Sequence, residues 1–229
     1  MMSGLGETIA QIAVWALPVL LAVTLHEAAH GYVAWIRGDD TAKKAGRLSL
    51  NPMVHIDPFG TIVLPLLLIV LTGFAFGYAK PVPVDVRRLH NPRRDMILVA
   101  LAGPGTNLAL AFLGAGLLPF AVAIGGGFGN WAVQMLHVMV FFNCLIAIFN
   151  MLPIPPLDGG RVAVGLLPYD LARPYAKLER YGFFIVIGGL FLLPMLSREL
   201  GLGFDPARSL LLVPSQWLYD GILSVLRLG

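Results

Sequence analysis

The chain has 229 residues, of which 57% are hydrophobic and 13% charged, with a formal net charge of +3 and a mean hydropathy of +0.78. Soluble domains carry about 25% charged residues, and disordered chains have low hydrophobicity. The composition therefore excludes both classes and predicts a polytopic membrane protein. The basic residues form no long run of the kind that binds nucleic acid, so we expect no nucleic-acid partner.

Apolar runs of about 20 residues, the length that crosses a bilayer, recur along the chain. Four of them predict membrane spans near residues 8–36, 95–122, 131–152 and 181–197. The tail at 209–226 contains Pro214, Gln216 and Asp220, and either spans the membrane or lies in its interface as an amphipathic helix. The sequence leaves that choice open.

Another apolar run, at residues 58–79, does not fit a simple span. Basic residues flank it on both sides, and Pro65, Gly73 and Gly77 interrupt it. Since cytoplasmic loops are enriched in Lys and Arg, both flanks look cytoplasmic, which favours a re-entrant hairpin over a full crossing. Such irregular backbone is tolerated at membrane depth when it packs against protein or water.

The distribution of charge also predicts the orientation. Glu7 is the only charged residue before the first span, whereas four basic residues follow that span within 37–47, and four more lie within 153–180. By the positive-inside rule, the N-terminus is expected outside and the C-terminal end of the first span in the cytoplasm.

Residues 26–30 read His-Glu-Ala-Ala-His within the first predicted span. On a helix, His26 and His30 lie one turn apart on the same face, where two imidazoles can bind one zinc ion. Glu27 beside them can act as a general base on a metal-bound water and then as an acid toward the leaving amine. Ionisable residues at membrane depth are costly and mark function by default.

A catalytic zinc site needs a third protein ligand, and Asp158 is the candidate. It follows three prolines, which must end the preceding helix, at the predicted cytoplasmic end of a span. The first span ends on the same side, so the two ends can meet. The alternative role for Asp158 is a helix cap or turn residue next to Gly159.

Three other functions remain open on the residues alone: a zinc transporter, an inactive metal-binding scaffold, and a zinc protease that acts on soluble or loop peptides. Transporters usually place ligands on several helices near the bilayer midplane, and Glu27 is superfluous in the first two cases. The third function uses the same site. Lys80-Pro81-Val82-Pro83-Val84 is predicted to be extended, because residues before proline avoid the helical region, and is a candidate edge for pairing with a substrate strand.

These segments together resemble the site-2 protease family of intramembrane zinc metalloproteases, in its compact form without a PDZ or nucleotide-sensing (CBS) domain. The resemblance is carried by His26 to His30, by Asn150 to Gly159, and by the Gly-Pro element Ala102-Gly103-Pro104-Gly105-Thr106-Asn107. It implies one zinc ion per chain, held by His26, His30 and Asp158, with Glu27 as the catalytic carboxylate. It also implies a substrate contact for Asn150, to which we add Lys80, Pro81 and Val82 from the predicted edge.

The family cuts peptide bonds within or near transmembrane helices, close to the cytoplasmic face. The resemblance therefore implies membrane-protein substrates, a lipid environment and a multi-pass location in the cell membrane. We expect an all-α polytopic fold with four to six transmembrane or re-entrant helices around the zinc site, and short extended segments in the cytoplasmic-side loops. One domain is expected over 1–229, with a catalytic core at about 8–165 and C-terminal helices at about 180–227.

Several other polar and small residues receive structural interpretations. Gly103 and Gly105 are expected to allow close helix packing, and Asn107 to be a packing amide between helices. His137 is expected to be packed and hydrogen-bonded. His55 and Asp57 are interpreted as loop residues, with a place at the border of the active site as the alternative.

Overall fold

The computed structural model describes residues 2–64, 66, 67, 70 and 77–228. Within these residues the chain is helical, with irregular connections and no β-strand, which confirms the predicted all-α class. The helices are α1 (Met2–Ile36), α2 (Thr41–Lys44), α3 (Pro92–Ile124), α4 (Gly126–Asn150), α5 (Asp158–Leu166), α6 (Tyr169–Ala176), α7 (Glu179–Glu199) and α8 (Val213–Val225). Short 3-10 turns lie at Pro52–His55 and Val86–Arg88, and π-helical turns at Pro58–Val63, Gly188–Leu192 and Arg208–Leu212.

Four helices are long and apolar enough to cross a bilayer: Ile12–Ile36 of α1, all of α3, all of α4, and α7. They coincide with the four spans predicted from the sequence and make the chain a multi-pass membrane protein. The tail helix α8 is shorter and packs on α4, where Ile222 and Leu223 are buried in one cluster with Leu136 and Val140.

The centre of the molecule is formed by α1, α3 and α4. Small residues line the contact between α1 and α3, where Ala28, Ala34 and Ala100 are almost completely buried. Without large side chains between them, the two backbones can approach closely, as is usual for helices in membranes. The turn from α3 to α4 runs through Gly125, whose φ of +64° is a conformation that favours glycine.

Because α1, α3 and α4 run in alternating directions, the C-terminal end of α1, the N-terminal end of α3 and the C-terminal end of α4 meet on one side. The backbone N–H of His90, just before α3, donates to the carbonyl of Arg37, just after α1 (2.9 Å). Asp158 begins α5 shortly after α4 ends. The three parts of the predicted metal site therefore converge at this side.

Much of the 58–79 run, namely residues 65, 68, 69 and 71–76, lies outside the described residues. Its two ends are described, and they meet: the N–H of Tyr78 donates to the carbonyl of Gly60, and the hydroxyl of Thr61 donates to the carbonyl of Tyr78, both at 3.0 Å. The two described ends of the run therefore lie side by side. The predicted re-entrant hairpin itself falls mostly on residues outside the described part of the chain.

Candidate metal centre

Three potential ligand atoms meet inside the helical core. The Nε2 atoms of His26 and His30 are 3.0 Å apart, and Oδ2 of Asp158 lies 3.2 Å from the first and 3.3 Å from the second. All three residues are buried, with 4–6% of their surface exposed. Ligand atoms about 2.0–2.2 Å from a tetrahedral zinc ion lie roughly 3.3 to 3.6 Å from one another, so the observed spacing is close to that of a zinc site.

Hydrogen bonds on the far side of each imidazole turn Nε2 toward this point. Nδ1 of His26 is 2.7 Å from Oδ1 of Asn107, and Nδ1 of His30 is 2.7 Å from the carbonyl oxygen of Val99. Since both partners are acceptors, each Nδ1 must carry the proton, and each Nε2 is left with a lone pair. Fixing the tautomer in this way is a regular feature of metal-binding histidines.

Asn107 is itself held firmly. Its Nδ2 donates to the carbonyl of Ala22 (3.1 Å) and to Oδ1 of Asn143 (2.8 Å), and its side chain is completely buried. Because the NH2 group points at a carbonyl, the amide oxygen must point at His26. The predicted packing amide therefore also orients the imidazole of His26, a role that the sequence does not predict.

Asp158 reaches the histidines because the chain doubles back after α4. Cβ atoms added at Gly159 and Gly160 would lie 2.2 Å from the carbonyl oxygen of Met151 and 2.3 Å from the nitrogen of Pro155. Only glycine fits this close approach, which places the first turn of α5 against the 151–155 loop. Oδ2 of Asp158 is buried without a hydrogen-bond partner.

A cation fits this arrangement. Three buried atoms with lone pairs face one another, and an unpartnered carboxylate oxygen would be costly there without a positive partner. Gly103 of α3 keeps the space open, since a Cβ at that residue would lie 2.5–2.6 Å from atoms of both imidazole rings. Gly105, in contrast, has nothing within 4 Å of a Cβ position, so the close packing predicted for both glycines holds at Gly103 alone.

The site lies within the apolar part of α1 and not at its end. His26 and His30 precede the last residue of the helix, Ile36, by ten and six positions. At 1.5 Å per residue, these positions are about 9–15 Å from the end of the helix.

Glu27 faces an extended segment of the chain. Its Oε2 accepts a hydrogen bond of 2.9 Å from the backbone N–H of Val82, and the residue is half-buried. Pro81 and Pro83 on either side have no N–H, so Val82 supplies the only donor of this triplet.

The segment that carries Val82 is attached to the protein at both ends. The N–H of Lys80 donates to the carbonyl of His55 (2.8 Å), and that of Asp85 donates to Oδ2 of the fully buried Asp39 (2.7 Å). The guanidinium of Arg47 donates to the carbonyls of Lys80 (2.6 Å), Pro81 (3.4 Å) and Val54. These contacts hold residues 80–85 in place beside Glu27.

Other residues singled out in the sequence have local roles. His55 is buried and bonded to the carbonyl of Ser49 (2.9 Å), while Oδ1 of Asp57 accepts from the N–H of Gly60 (2.6 Å), in agreement with the loop interpretation. His137 is hydrogen-bonded to the hydroxyl of Tyr219 (2.6 Å), as expected for a packed histidine. Asn150 is half-buried, and its Nδ2 donates to the carbonyl of Ile146 in its own helix (3.0 Å).

Sequence reasoning missed Arg47 and Asp39. The sequence shows Arg47 only as one of the basic residues that set the orientation, whereas in the structure only 9% of its surface is exposed and its partners are backbone carbonyls. No pattern along the sequence predicts these contacts, because the hydrogen-bonded residues are more than thirty positions apart.

Comparison with known proteins shows the class: the chain belongs to peptidase family M50, the site-2 protease family, and is a zinc metalloprotease of the membrane. The family model matches residues 119–193, which include Asp158. Curated relatives that align over most of the chain support the match.

One relative is "Putative zinc metalloprotease YwhC" of Bacillus subtilis, 43% identical over 188 residues, which cover 80% of this chain and 82% of that protein. "Putative zinc metalloprotease Rip2" of Mycolicibacterium smegmatis is 32% identical over 86% of this chain and 72% of that protein. The protein with the same description from Mycobacterium tuberculosis H37Rv is 32% identical over 84% of this chain and 70% of that protein. No solved structure matches the chain.

Proposed function

We propose that this protein is an intramembrane endopeptidase that hydrolyses peptide bonds of membrane-spanning or membrane-adjacent substrates near the cytoplasmic face of the cell membrane. The observation that carries the proposal is the depth of the ligand cluster. His26 and His30 lie on an apolar helix, about 9–15 Å from its end. A substrate bond that reaches this depth belongs to a segment in the membrane or next to it.

The proposed orientation places the N-terminus outside. The side of the molecule on which α1 ends and α3 begins carries many basic residues, among them Lys43, Arg47, Arg88 and Arg93. Cytoplasmic loops are enriched in such residues. The whole chain 1–229 is proposed to act as one domain, with its core at about 8–165.

We assign His26, His30 and Asp158 as the zinc ligands. When bound, zinc lowers the pKa of a water molecule and polarises the scissile carbonyl. Glu27 is assigned as the general base, which accepts a proton from the attacking water and then donates it to the departing amine. Since the N–H of Val82 occupies Oε2 of Glu27, Oε1 is the oxygen that receives the proton.

The substrate must be extended where it is cut, because a helix hides its carbonyl groups. Most backbone groups of Lys80 and Pro81 are already used by Arg47 and His55, and the N–H of Val82 is used by Glu27. Along the described chain, the carbonyl of Val82 and the N–H of Val84 make no hydrogen bond. Successive backbone groups of an extended chain alternate in direction, so these two lie on the edge that faces Glu27, where a substrate strand can pair. Asn150 is proposed to contact the substrate backbone through Oδ1.

The first experiment measures zinc in the detergent-purified protein, in His30→Ala and in Asp158→Ala. We expect about one zinc per chain in the unaltered protein and loss of zinc from both variants. Zinc retained by Asp158→Ala would overturn the assignment of the third ligand. Well-folded unaltered protein without any zinc would overturn the function.

The second experiment tests the intramembrane character. Model substrates share one cleavable sequence, which is placed either inside a membrane-spanning segment near its cytoplasmic end or in a soluble protein, with Glu27→Gln as the inactive control. We expect cleavage of the membrane-borne sequence, at a position that shifts when the spanning segment is shifted. Equal cleavage of the soluble form would instead show a zinc protease that acts on loop peptides.

A further inference from the structure

A cavity of about 620 Å³ opens beside the extended segment that holds Glu27. Its walls are residues 82–86, the N-terminal end of α3, the 155–156 turn, and helices α5 and α6. Pockets that take small ligands or a few side chains have volumes of about 300–1,000 Å³. The cavity is separate from the ligand cluster, since none of the three ligands lines it.

Val82 connects this cavity to the catalytic carboxylate. Its N–H donates to Glu27, and the same residue lines the cavity. Val84 and Val86 line the same wall. Val82 and Val84 are alternate residues of the extended segment, and the side chains of such residues point to the same face. A substrate segment bound next to Glu27 therefore meets an apolar wall that leads directly into the cavity.

The other walls are rigid. Nε of Arg93 donates to the carbonyl of Gly165 (2.7 Å), and its guanidinium also donates to the carbonyl of Leu167, which joins α3 to the end of α5. A Cβ at Gly165 would lie 2.4 Å from the side chain of Ile97, and one at Gly182 would lie 1.8 Å from the carbonyl oxygen of Pro155. Such close contacts leave the surrounding helices little freedom to collapse into the cavity.

Apart from Tyr169 and the charged residues, the lining is apolar, and the charges are mostly positive. The charged lining residues are Arg93, Arg161, Arg173 and Glu179. In the part of the chain that the structure describes, the ion pairs within 4.0 Å include neither Arg161 nor Arg173. An apolar cavity with two unpaired guanidinium groups suits a ligand with apolar groups and a carboxylate.

We propose that this cavity is a substrate subsite that takes an extended stretch of the substrate outside the membrane, with apolar side chains next to an acidic residue. The proposal rests on the proposed endopeptidase function, because the occupant is the chain that is cut. Val82 and Val84 contact the apolar side chains, and Arg161 and Arg173 attract the acidic one. The cavity is continuous with the segment that is hydrogen-bonded to Glu27. This position favours a substrate peptide as the occupant over an anionic lipid headgroup, which does not need to lie beside the catalytic carboxylate.

The test uses the full-length, zinc-loaded Glu27→Gln protein in a neutral detergent, so that peptides bind without being cut. The probes are three fluorescent synthetic peptides that share a Leu-Val-Ala stretch and end in Asp-Asp, Asn-Asn or Lys-Lys. Fluorescence anisotropy measures each Kd. We expect the Asp-Asp peptide to bind about fivefold more tightly than the Lys-Lys peptide, the scale of two partly exposed ion pairs.

Two matched pairs of variants locate the binding. Arg161→Gln with Arg173→Gln should remove the preference for Asp-Asp, whereas Arg198→Gln with Arg208→Gln, exposed residues near the opposite end of α7, should keep it. Ala172→Trp fills the cavity and should weaken all three peptides by about tenfold. Leu171→Trp, at the exposed neighbouring position on α6, should leave binding unchanged.

Equal binding of the three peptides, no saturable binding at all, or an equal loss in both arginine pairs would overturn the subsite. The double variant Arg161→Gln with Arg173→Gln also distinguishes a lipid from a peptide. If it binds the peptides as before but no longer associates with vesicles containing phosphatidylglycerol, the subsite is overturned and the cavity is assigned to lipid. Cleavage by the unaltered protein is scored separately. If it cuts none of the peptides or membrane substrates while the binding preferences hold, the endopeptidase function fails and the subsite stands.

Discussion

Two regions meet at Glu27, and they are built in different ways. The ligand cluster is held by helices: His26 and His30 share a face of α1, and residues of α3 fix both imidazoles from behind. The segment 80–85 has no regular structure. It is held by side chains that are hydrogen-bonded to its backbone, chiefly those of Arg47 and Asp39. The cluster is thus rigid because of helix packing, and the segment because of individual polar contacts.

The difference separates two properties of the site. Changes in the helical cluster should alter zinc binding first, and changes in the segment should alter turnover with zinc retained. Glu27 belongs to both regions, because it lies on α1 and is hydrogen-bonded to the segment.

The largest effect on turnover is expected for Glu27→Gln. Loss of a general base lowers rates by about 10²–10⁴-fold, while zinc should stay at the level of the unaltered protein, because Glu27 is not one of the three clustered residues. Cleavage of a membrane-borne model substrate and zinc per chain are measured on the same preparation. Loss of zinc together with activity would move Glu27 into the ligand set.

Gly103→Ala should disturb the ligand cluster strongly. The added Cβ would lie 2.5–2.6 Å from both imidazoles, and overpacking of this kind costs about 1–3 kcal/mol, which corresponds to a loss of zinc affinity of roughly 5- to 150-fold. Gly105→Ala is the matched control on the same helix, where a Cβ has open space. Zinc titration should separate the two variants, and equal affinities would show that Gly103 does not bound the site.

Asn107→Ala should weaken zinc binding about 10- to 100-fold, the usual cost of losing the partner that orients a histidine ligand. Asn143→Ala removes an amide from the same buried network without touching His26. Its zinc affinity should change less, since Asn107 keeps its bond to the carbonyl of Ala22. An equal or larger loss in Asn143→Ala would contradict the orienting role of Asn107.

The smallest effect on turnover is expected for Val82→Pro, which removes the N–H that Glu27 accepts while keeping the chain extended. A hydrogen bond to a charged group contributes about 1.5–3 kcal/mol, so kcat should fall roughly tenfold or more, with zinc unchanged. Val82→Ile keeps this N–H and an apolar side chain, so its kcat should fall much less. Equal rates in both variants would show that the bond to Glu27 does not matter for turnover.

The sequence predicted the helical region better than the irregular one. The spacing of His26 and His30, the prolines before Asp158 and the long apolar runs are local patterns with direct physical meaning, and all four predicted spans are present. The attachment of segment 80–85 depends on Arg47 and Asp39, which are 33 to 46 positions away from their partners. Contacts of that separation leave no periodicity in the chain.

The role of Asn107 could be predicted only in part. A buried amide in an apolar span was recognisable as a helix contact, but its aim at His26 depends on how α1 and α3 are rotated against each other. The tail was undecided for a similar reason, since packing of Ile222 and Leu223 on α4 determines its place.

The depth of the ligand cluster has a consequence for the supply of reactants. Hydrolysis of each peptide bond consumes one molecule of water, and the hydrocarbon core of a bilayer, about 30 Å thick, contains almost none. In the proposed intramembrane enzyme, a site about 9–15 Å from the end of α1 has to receive its second reactant along a hydrated path for every bond it cuts. The rate of such an enzyme has an upper limit set by how quickly that path refills.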